Sequence, residues 1–161
     1  MHEPERFRSE AYLAVIDSSP SSNTVQYHHE SIQSMENIAK STYPAECCGL
    51  IIGTLTDGIW HVHDVREAKN LNAERANDRF QLDPDAYQTL DRELKGSPNE
   101  IIGVFHSHPD CPAKPSPTDI AHAWEGFIYP IVAVDQGEIH SIQSWALNAK
   151  GDQFQEVTIH A

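Results

Sequence analysis

The chain is short of cysteines, of basic residues and of long apolar runs, and each shortage excludes a class of protein. Three cysteines among 161 residues are too few for a disulfide framework. With no apparent signal peptide, we therefore expect a reducing, cytoplasmic location. Lys and Arg number 11 against 24 Asp and Glu, a formal net charge of −13. This charge argues against nucleic acid and favours a protein or peptide partner. No apolar run approaches the roughly 18 residues of a membrane helix, so no membrane partner is predicted.

The length and the 39% hydrophobic content fit one compact domain. Residues 1–26 are polar and include SSPSSN, so we predict a flexible N-terminal extension there, or one extra edge strand, and a single domain over residues 27–161. Periodicity and turn residues predict helices over 31–42 and 86–94, and strands over 47–53, 59–65, 79–82, 101–105, 128–134, 139–147 and 154–159. Strands and helices without regular alternation indicate an α+β fold, with a mixed, mostly antiparallel sheet flanked by helices.

The sequence HSHPDCPAKPSPTD contains the most informative pattern in the chain. It follows an apolar run, Ile101 to Phe105, which predicts a buried strand. If the strand continues, His106 and His108 emerge on the same face, because side chains at i and i+2 point the same way. Zinc accepts neutral imidazole, and a catalytic zinc commonly takes three protein ligands. Asp119 can be the third ligand.

Ser116 and Asp119 also read as the start of a helix. Ser116 suits the N-cap, Pro117 the first helical position and Asp119 the third, which is a capping-box pattern. A carboxylate on the first turn can still point back to a metal held by the strand. Glu46 directly precedes the apolar run 47–53 and can lie at the rim of the sheet, facing the same cleft.

Glu46 in PAECCGLIIG, the HSHP motif, Ser116 and Asp119 together resemble the JAMM (MPN+) family of zinc metalloproteases. The resemblance extends from about Ser31 to the C-terminus. The run HPDCPAKPSPTD and the tail SWALNAKGDQFQEVTI look like the small bacterial branch that trims sulfur-carrier proteins. The fold that this implies is the MPN/JAMM-like, cytidine-deaminase-like type of α+β domain.

The resemblance also implies roles for individual residues. His106, His108 and Asp119 become the ligands of one catalytic zinc ion with a bound water. Glu46 becomes the general base, and Ser116 helps to hold the tetrahedral oxyanion.

The implied substrate is the C-terminal tail of a ubiquitin-like protein. The leading hypothesis is hydrolysis of the bond after the terminal glycine of a sulfur carrier, which releases cysteine and completes a cysteine-synthesis pathway. An isopeptidase that removes a ubiquitin-like modifier from protein lysines is the alternative, and the leaving group distinguishes the two. A non-catalytic scaffold is a weaker alternative, because all five site positions are present. The identity of the carrier and the oligomeric state are left open by the sequence.

Three further features of the sequence resemble parts of a metal site or lie near this one. His61 and His63 alternate along a second predicted strand, but no following carboxylate completes a site, so we interpret them as surface histidines. Cys111 either fills its loop or brings a thiol near the metal, and His122 lies on the helix surface or beside the site. A zinc deaminase would need a second cysteine near Cys111, which the sequence lacks.

Overall fold

The structure, a computed structural model, describes residues 5–160. Within them the chain forms a 3₁₀ turn, four α-helices and seven strands. The turn spans Glu5–Arg8, and the helices are α1 (Glu10–Leu13), α2 (His29–Thr42), α3 (Pro84–Glu93) and α4 (Pro117–Ala121). The strands are β1 (Thr24–Tyr27), β2 (Cys48–Thr56), β3 (Ile59–Ala68), β4 (Glu100–Pro109), β5 (Tyr129–Asp135), β6 (Glu138–Leu147) and β7 (Phe154–Ile159). None of the described helices combines the length and the apolar character needed to span a membrane.

The seven strands form one closed sheet in the order β1-β3-β2-β4-β5-β6-β7, and β7 pairs back with β1. Four neighbouring pairs are antiparallel and three are parallel, the parallel ones being β1–β3, β4–β5 and β1–β7. The predicted α+β fold with a mixed, mostly antiparallel sheet is therefore confirmed. Strand β4 lies between β2 and β5.

Helix α2 has one buried face, because its buried side chains recur at helical spacing. Ser31, Met35 and Ala39 are buried at intervals of four residues, which places them on one face. That face covers the main core. Every strand contributes to this core: Val25 from β1, Ile51 from β2, Val62 from β3, Phe105 from β4, Val132 from β5, Ala146 from β6 and Val157 from β7. Leu90 of α3 packs against Leu50, Ile52 and Ile101 on another part of the sheet. The C-terminal half of β4 carries buried polar residues instead, which are His106, Ser107 and His108.

The strand predicted over residues 79–82 is wrong. In this segment only Leu82 forms an isolated bridge, with Asn70. The side-chain oxygen of Asn70 accepts the N–H groups of Asn72 and Gln81, both at 3.0 Å. A side-chain amide thus replaces the backbone ladder that a strand would need, and residues 69–82 form a loop with its own internal hydrogen bonds.

The predicted division of the chain at residue 26 stays a prediction. In the structure β1 begins at Thr24 and pairs in parallel with β3. Upstream of it, the backbone of Val15 and Asp17 exchanges hydrogen bonds of 2.7 and 2.8 Å with Phe154. The Phe7 side chain is 4% exposed. The described part of the N-terminal region therefore lies against β7 and the adjoining cleft.

Candidate active site

Strand β4 brings His106 and His108 to the same place because it is paired on both sides. His106 lies opposite Cys48 of β2 and Ile131 of β5, and His108 lies opposite Ala133. No register shift interrupts these pairs, so the i, i+2 alternation holds. The two residues are 3% and 5% exposed. The predicted same-face arrangement is thus present and buried.

The two imidazole rings converge through their Nε2 atoms, which lie 3.1 Å apart. His108 Nδ1 lies 2.7 Å from the carbonyl oxygen of Pro112. Because a carbonyl oxygen can only accept a hydrogen bond, Nδ1 carries the proton and donates. The Nε2 atom of the neutral His108 ring therefore carries a lone pair. His106 Nδ1 is buried and has no hydrogen-bond partner among the described residues. The pair therefore presents nitrogen atoms to one point, as a metal site requires.

Asp119 completes the cluster from the first turn of α4. Its Oδ2 lies 3.6 Å from Nε2 of His106 and 3.9 Å from Nε2 of His108. The same oxygen accepts the N–H of Ser116 at 2.8 Å, while Ser116 Oγ accepts the N–H of Asp119 at 3.1 Å. The capping box predicted from the sequence is present, and one carboxylate both caps the helix and faces the two histidines.

The Asp119 carboxylate favours a positive charge on its neighbours in the cluster. Burial raises the pKa of Asp119, but the neighbouring imidazoles and the Ser116 N–H outweigh it and hold that pKa below its usual range. Burial lowers the pKa of His106, but the Asp119 and Glu46 carboxylates together raise it by more, so the net shift is upward. Each group thus stabilises the charged form of its neighbour.

Glu46 lies immediately before β2, with a carboxyl group that is almost fully buried. The residue is 5% exposed, and its ligand atom and those of His106 and His108 lie within 4.8 Å of one another. Burial raises the pKa of Glu46 to about 7, against smaller lowering effects of His106 and Arg79. A carboxyl group with such a pKa can both take and return a proton near neutral pH.

Ser107, between the two histidines, holds Glu46 against β4. Its hydroxyl accepts the N–H of Cys47 at 2.8 Å, and its own N–H donates to the Cys47 carbonyl at 3.2 Å. On the other side, the side-chain amide of Asn70 donates to the Glu46 carbonyl at 3.1 Å. Sequence reasoning missed both residues. The position of Ser107 between two ligand candidates was an available signal, whereas Asn70 in a polar loop gave none.

The residues present fit a zinc ion. Two imidazole nitrogens and one carboxylate oxygen lie within 3.9 Å of one another, and they match a three-ligand zinc site with an open coordination position. The proton fixed on His108 Nδ1 agrees with binding through the Nε2 atom of that ring. Zinc as the natural ion stays a proposal.

A cleft of about 700 Å³ opens from this cluster. One wall is the loop of residues 69–82, from which Phe80 stacks on His106 with ring centroids 4.5 Å apart and planes inclined at 25°. The Phe7 ring forms part of another wall, with its centroid 6.2 Å from that of His108. Neither aromatic contact was predicted, since no local pattern marks a residue that packs across the fold.

The other candidates occupy different positions. Cys111 is buried and lines the cleft, and His122 is exposed at its edge, at the C-terminal cap of α4. His61 is half-buried and His63 exposed, both outside the cleft. That the Cys111 thiol comes near the metal, and that His122 acts on the site, stay predictions.

Comparison with known proteins identifies the family of this chain and several of its relatives. Residues 28–148 match the family of prokaryotic homologs of the JAB domain. A desampylase of Haloferax volcanii is 29% identical over 117 residues, which cover 72% of this chain and 78% of the relative. The Lys-63-specific deubiquitinase BRCC36 of Xenopus tropicalis is 32% identical over 87 residues, 50% of this chain and 33% of the relative.

A solved structure shows the same fold. The solution structure of protein DSY2949 from Desulfitobacterium hafniense superposes with a TM-score of 0.73 at 24% identity, covering 85% of this chain and 92% of that one. The family match spans most of the chain and includes all five candidate site residues. This chain therefore belongs to the JAB domain family, in its prokaryotic branch, as the JAMM-like residues predicted.

Proposed function

We propose that this protein is a zinc-dependent peptidase that hydrolyses the bond after the C-terminal glycine of a ubiquitin-like sulfur-carrier protein and releases cysteine. The observation that carries the proposal is the convergence of His106, His108 and Asp119 beside the buried carboxyl group of Glu46. The similarity to a desampylase and a deubiquitinase supports a hydrolase that acts on ubiquitin-like proteins.

His106, His108 and Asp119 would hold the ion. When bound, zinc supplies a Lewis acid that lowers the pKa of water and polarises a carbonyl group. Glu46 takes the proton from the attacking water, because burial raises its pKa to about 7 and makes it a base of suitable strength. The protonated Glu46 then returns this proton to the departing amine.

Ser116 stabilises the developing negative charge on the carbonyl oxygen. Its Oγ accepts the Asp119 N–H at 3.1 Å, so the hydroxyl is held in place and can donate its own proton into the cleft, which Ser116 lines. Such a donor is most effective in the transition state, where the oxygen carries the most charge.

The experiment that tests the proposal measures the intact mass of a sulfur carrier ending in Gly-Gly-Cys after incubation with the zinc-loaded protein. We expect the mass to fall by one cysteine residue, and we expect a chelator to abolish the change. The matched control is Glu46→Gln, which keeps the ion and removes the base. An unchanged carrier mass with zinc bound at one ion per chain would refute cysteine release.

The similarity to the Lys-63-specific deubiquitinase favours a second candidate, an isopeptidase that removes a ubiquitin-like modifier from lysine side chains. The same cluster serves both reactions, since only the leaving amine differs. Cleavage of a lysine-linked conjugate, with the Gly-Gly-Cys carrier left intact, would establish the isopeptidase. A scaffold would cleave neither substrate.

A further inference from the structure

One cationic side chain lies in a cleft whose other charged groups are acidic or are the histidines of the site. Among the described residues that line the cleft, Arg79 is the sole lysine or arginine, and Glu46, Asp78 and Asp119 are the carboxylates. The chain as a whole carries a net charge of −13. An anionic group of a substrate is therefore repelled over most of the surface and attracted at Arg79.

The structure fixes Arg79 beside the general base. The Asn70 side-chain amide donates to the carbonyl oxygens of both Glu46 and Arg79, each at 3.1 Å, which ties the two backbones together. The next residue, Phe80, stacks on His106. Burial is the main influence on the pKa of Glu46 and raises it, while the charge of Arg79 acts in the opposite direction, as expected of a close neighbour.

The guanidinium of Arg79 keeps donors for a ligand. Its neighbour Asp78 is bound by Arg75 through two hydrogen bonds, of 3.1 and 2.5 Å. Arg79 Nη1 donates to the carbonyl oxygen of Asp78 at 3.0 Å. No salt bridge of Arg79 is found among residues 5–160. An arginine has five N–H donors in a fork that matches a carboxylate, so enough remain for a bidentate contact.

We infer that Arg79 binds the α-carboxylate of the amino acid that leaves, and so selects a C-terminal residue over a lysine side chain. The inference rests on the proposed peptidase function. Glu46 must reach the leaving nitrogen to return its proton. In a terminal amino acid, the α-carboxylate is one carbon away from that nitrogen, so it lies where a cation next to Glu46 can bind it. The ε-nitrogen of a protein lysine has no carboxylate nearby and gains nothing from Arg79.

Two carriers that differ only at the last group test this inference. One ends in Gly-Gly-Cys with a free carboxylate, and the other ends in the same residues with a carboxamide. We expect wild-type protein to cleave the acid about 10- to 100-fold more efficiently than the amide in kcat/KM, as a lost charge-assisted hydrogen bond predicts. Arg79→Gln should bring this ratio close to one, and Arg79→Lys should restore part of it, because lysine keeps the charge without the fork.

Arg92→Gln is the matched control. Arg92 is an exposed arginine in α3 that does not line the cleft, so its loss removes the same charge from elsewhere. The acid-to-amide ratio should stay at the wild-type value in this variant. A ratio near one in the wild-type protein, or a wild-type ratio in Arg79→Gln, would overturn the inference.

A measurement of carrier binding tests this inference separately from the proposed reaction. In the Glu46→Gln background, the dissociation constants of the two carriers report carboxylate recognition without turnover. We expect tighter binding of the acid with Arg79 present and equal binding of the two with Arg79→Gln added. If wild-type protein cleaves neither carrier, the peptidase function fails, while the binding ratio still supports or overturns the carboxylate site by itself.

Discussion

Two strands of this protein carry histidines at alternate positions, and only one of them builds a site. In β4 the Nε2 atoms of His106 and His108 lie 3.1 Å apart, in a buried cluster. In β3, Nδ1 of His61 forms a hydrogen bond of 3.0 Å with the side-chain oxygen of Gln26. The ring of His63 packs in an edge-to-face arrangement with the exposed His28 ring, with ring centroids 4.9 Å apart. The same local pattern therefore has two different outcomes.

The first difference is the register of the strands. Opposite β3, Ile52 pairs with Asp64 and Gly53 with Val62, so His63 is the extra residue of a bulge. The regular alternation that would place His61 and His63 side by side is interrupted there. In β4, the irregularity lies near Ile102, before the histidines, and the alternation through His108 is intact.

The second difference is what surrounds each pair. Next to β4, the segment that precedes β2 contributes Glu46 and the first turn of α4 contributes Asp119. The histidines of β3 face Gln26 and His28, and neither supplies a negative charge. Two alternating histidines thus become a candidate metal site when separate elements bring carboxylates to them.

The largest expected effect comes from removing a histidine of β4. His106→Ala should lose nearly all bound zinc and reduce turnover by at least about 10⁴-fold, since the Lewis acid is worth several kcal/mol. His63→Ala is the matched control in β3 and should keep one zinc per chain and full turnover. Metal analysis by mass spectrometry, together with carrier cleavage, checks both. Equal zinc loss in the two variants would show that the strands do not differ as described.

Asp119 tests whether the carboxylate is what completes the site. Asp119→Ala should lower zinc affinity by at least about 100-fold, more than second-layer changes typically do. It should also lower the free energy of unfolding by about 1 kcal/mol, because alanine lacks the carboxylate that accepts the N–H of Ser116 in the capping box. Asp119→Asn can keep that hydrogen bond and should show the zinc loss without most of the stability loss. Normal zinc content in both variants would make Asp119 a helix cap and nothing more.

The Glu46→Gln variant separates zinc binding from catalysis. Glu46→Gln should keep zinc at one ion per chain and reduce turnover by about 10²- to 10⁴-fold, since the proton carrier is lost while the three ligands remain. Zinc titration and cleavage of the same carrier provide the two measurements. Retained turnover would exclude Glu46 as the base, and lost zinc would make it a ligand.

The smallest effect is expected from Ser107, the residue between the two histidines. Ser107→Ala should lower the free energy of unfolding by about 1 kcal/mol, because the buried N–H of Cys47 loses its acceptor. Urea denaturation measures this loss. His61→Ala, in the histidine pair of β3, should change stability by less than about 0.5 kcal/mol. A Ser107 effect as small as that of His61 would mean that this hydrogen bond does not hold the two strands together.

Much of the candidate site could be predicted because its residues carry local signals. The apolar run before His106 predicts a buried strand, and Ser116 with Asp119 predicts the capping box that the structure contains. The wrong strand at residues 79–82 shows the limit of this reasoning. Its apolar residues predict a paired strand, but the side-chain oxygen of Asn70 accepts the N–H of Gln81 that a partner strand would need.

The sequence by itself determined most of the order of the elements and the side-chain types of Glu46, His106, His108, Ser116 and Asp119, because periodicity, caps and residue type are local properties. Tertiary structure alone decided that Phe80 stacks on His106, that Asn70 ties Glu46 to Arg79 and that Phe7 lies in the cleft. These contacts join residues that are distant along the chain. They are set by how the closed sheet and its loops pack together, which no local pattern records.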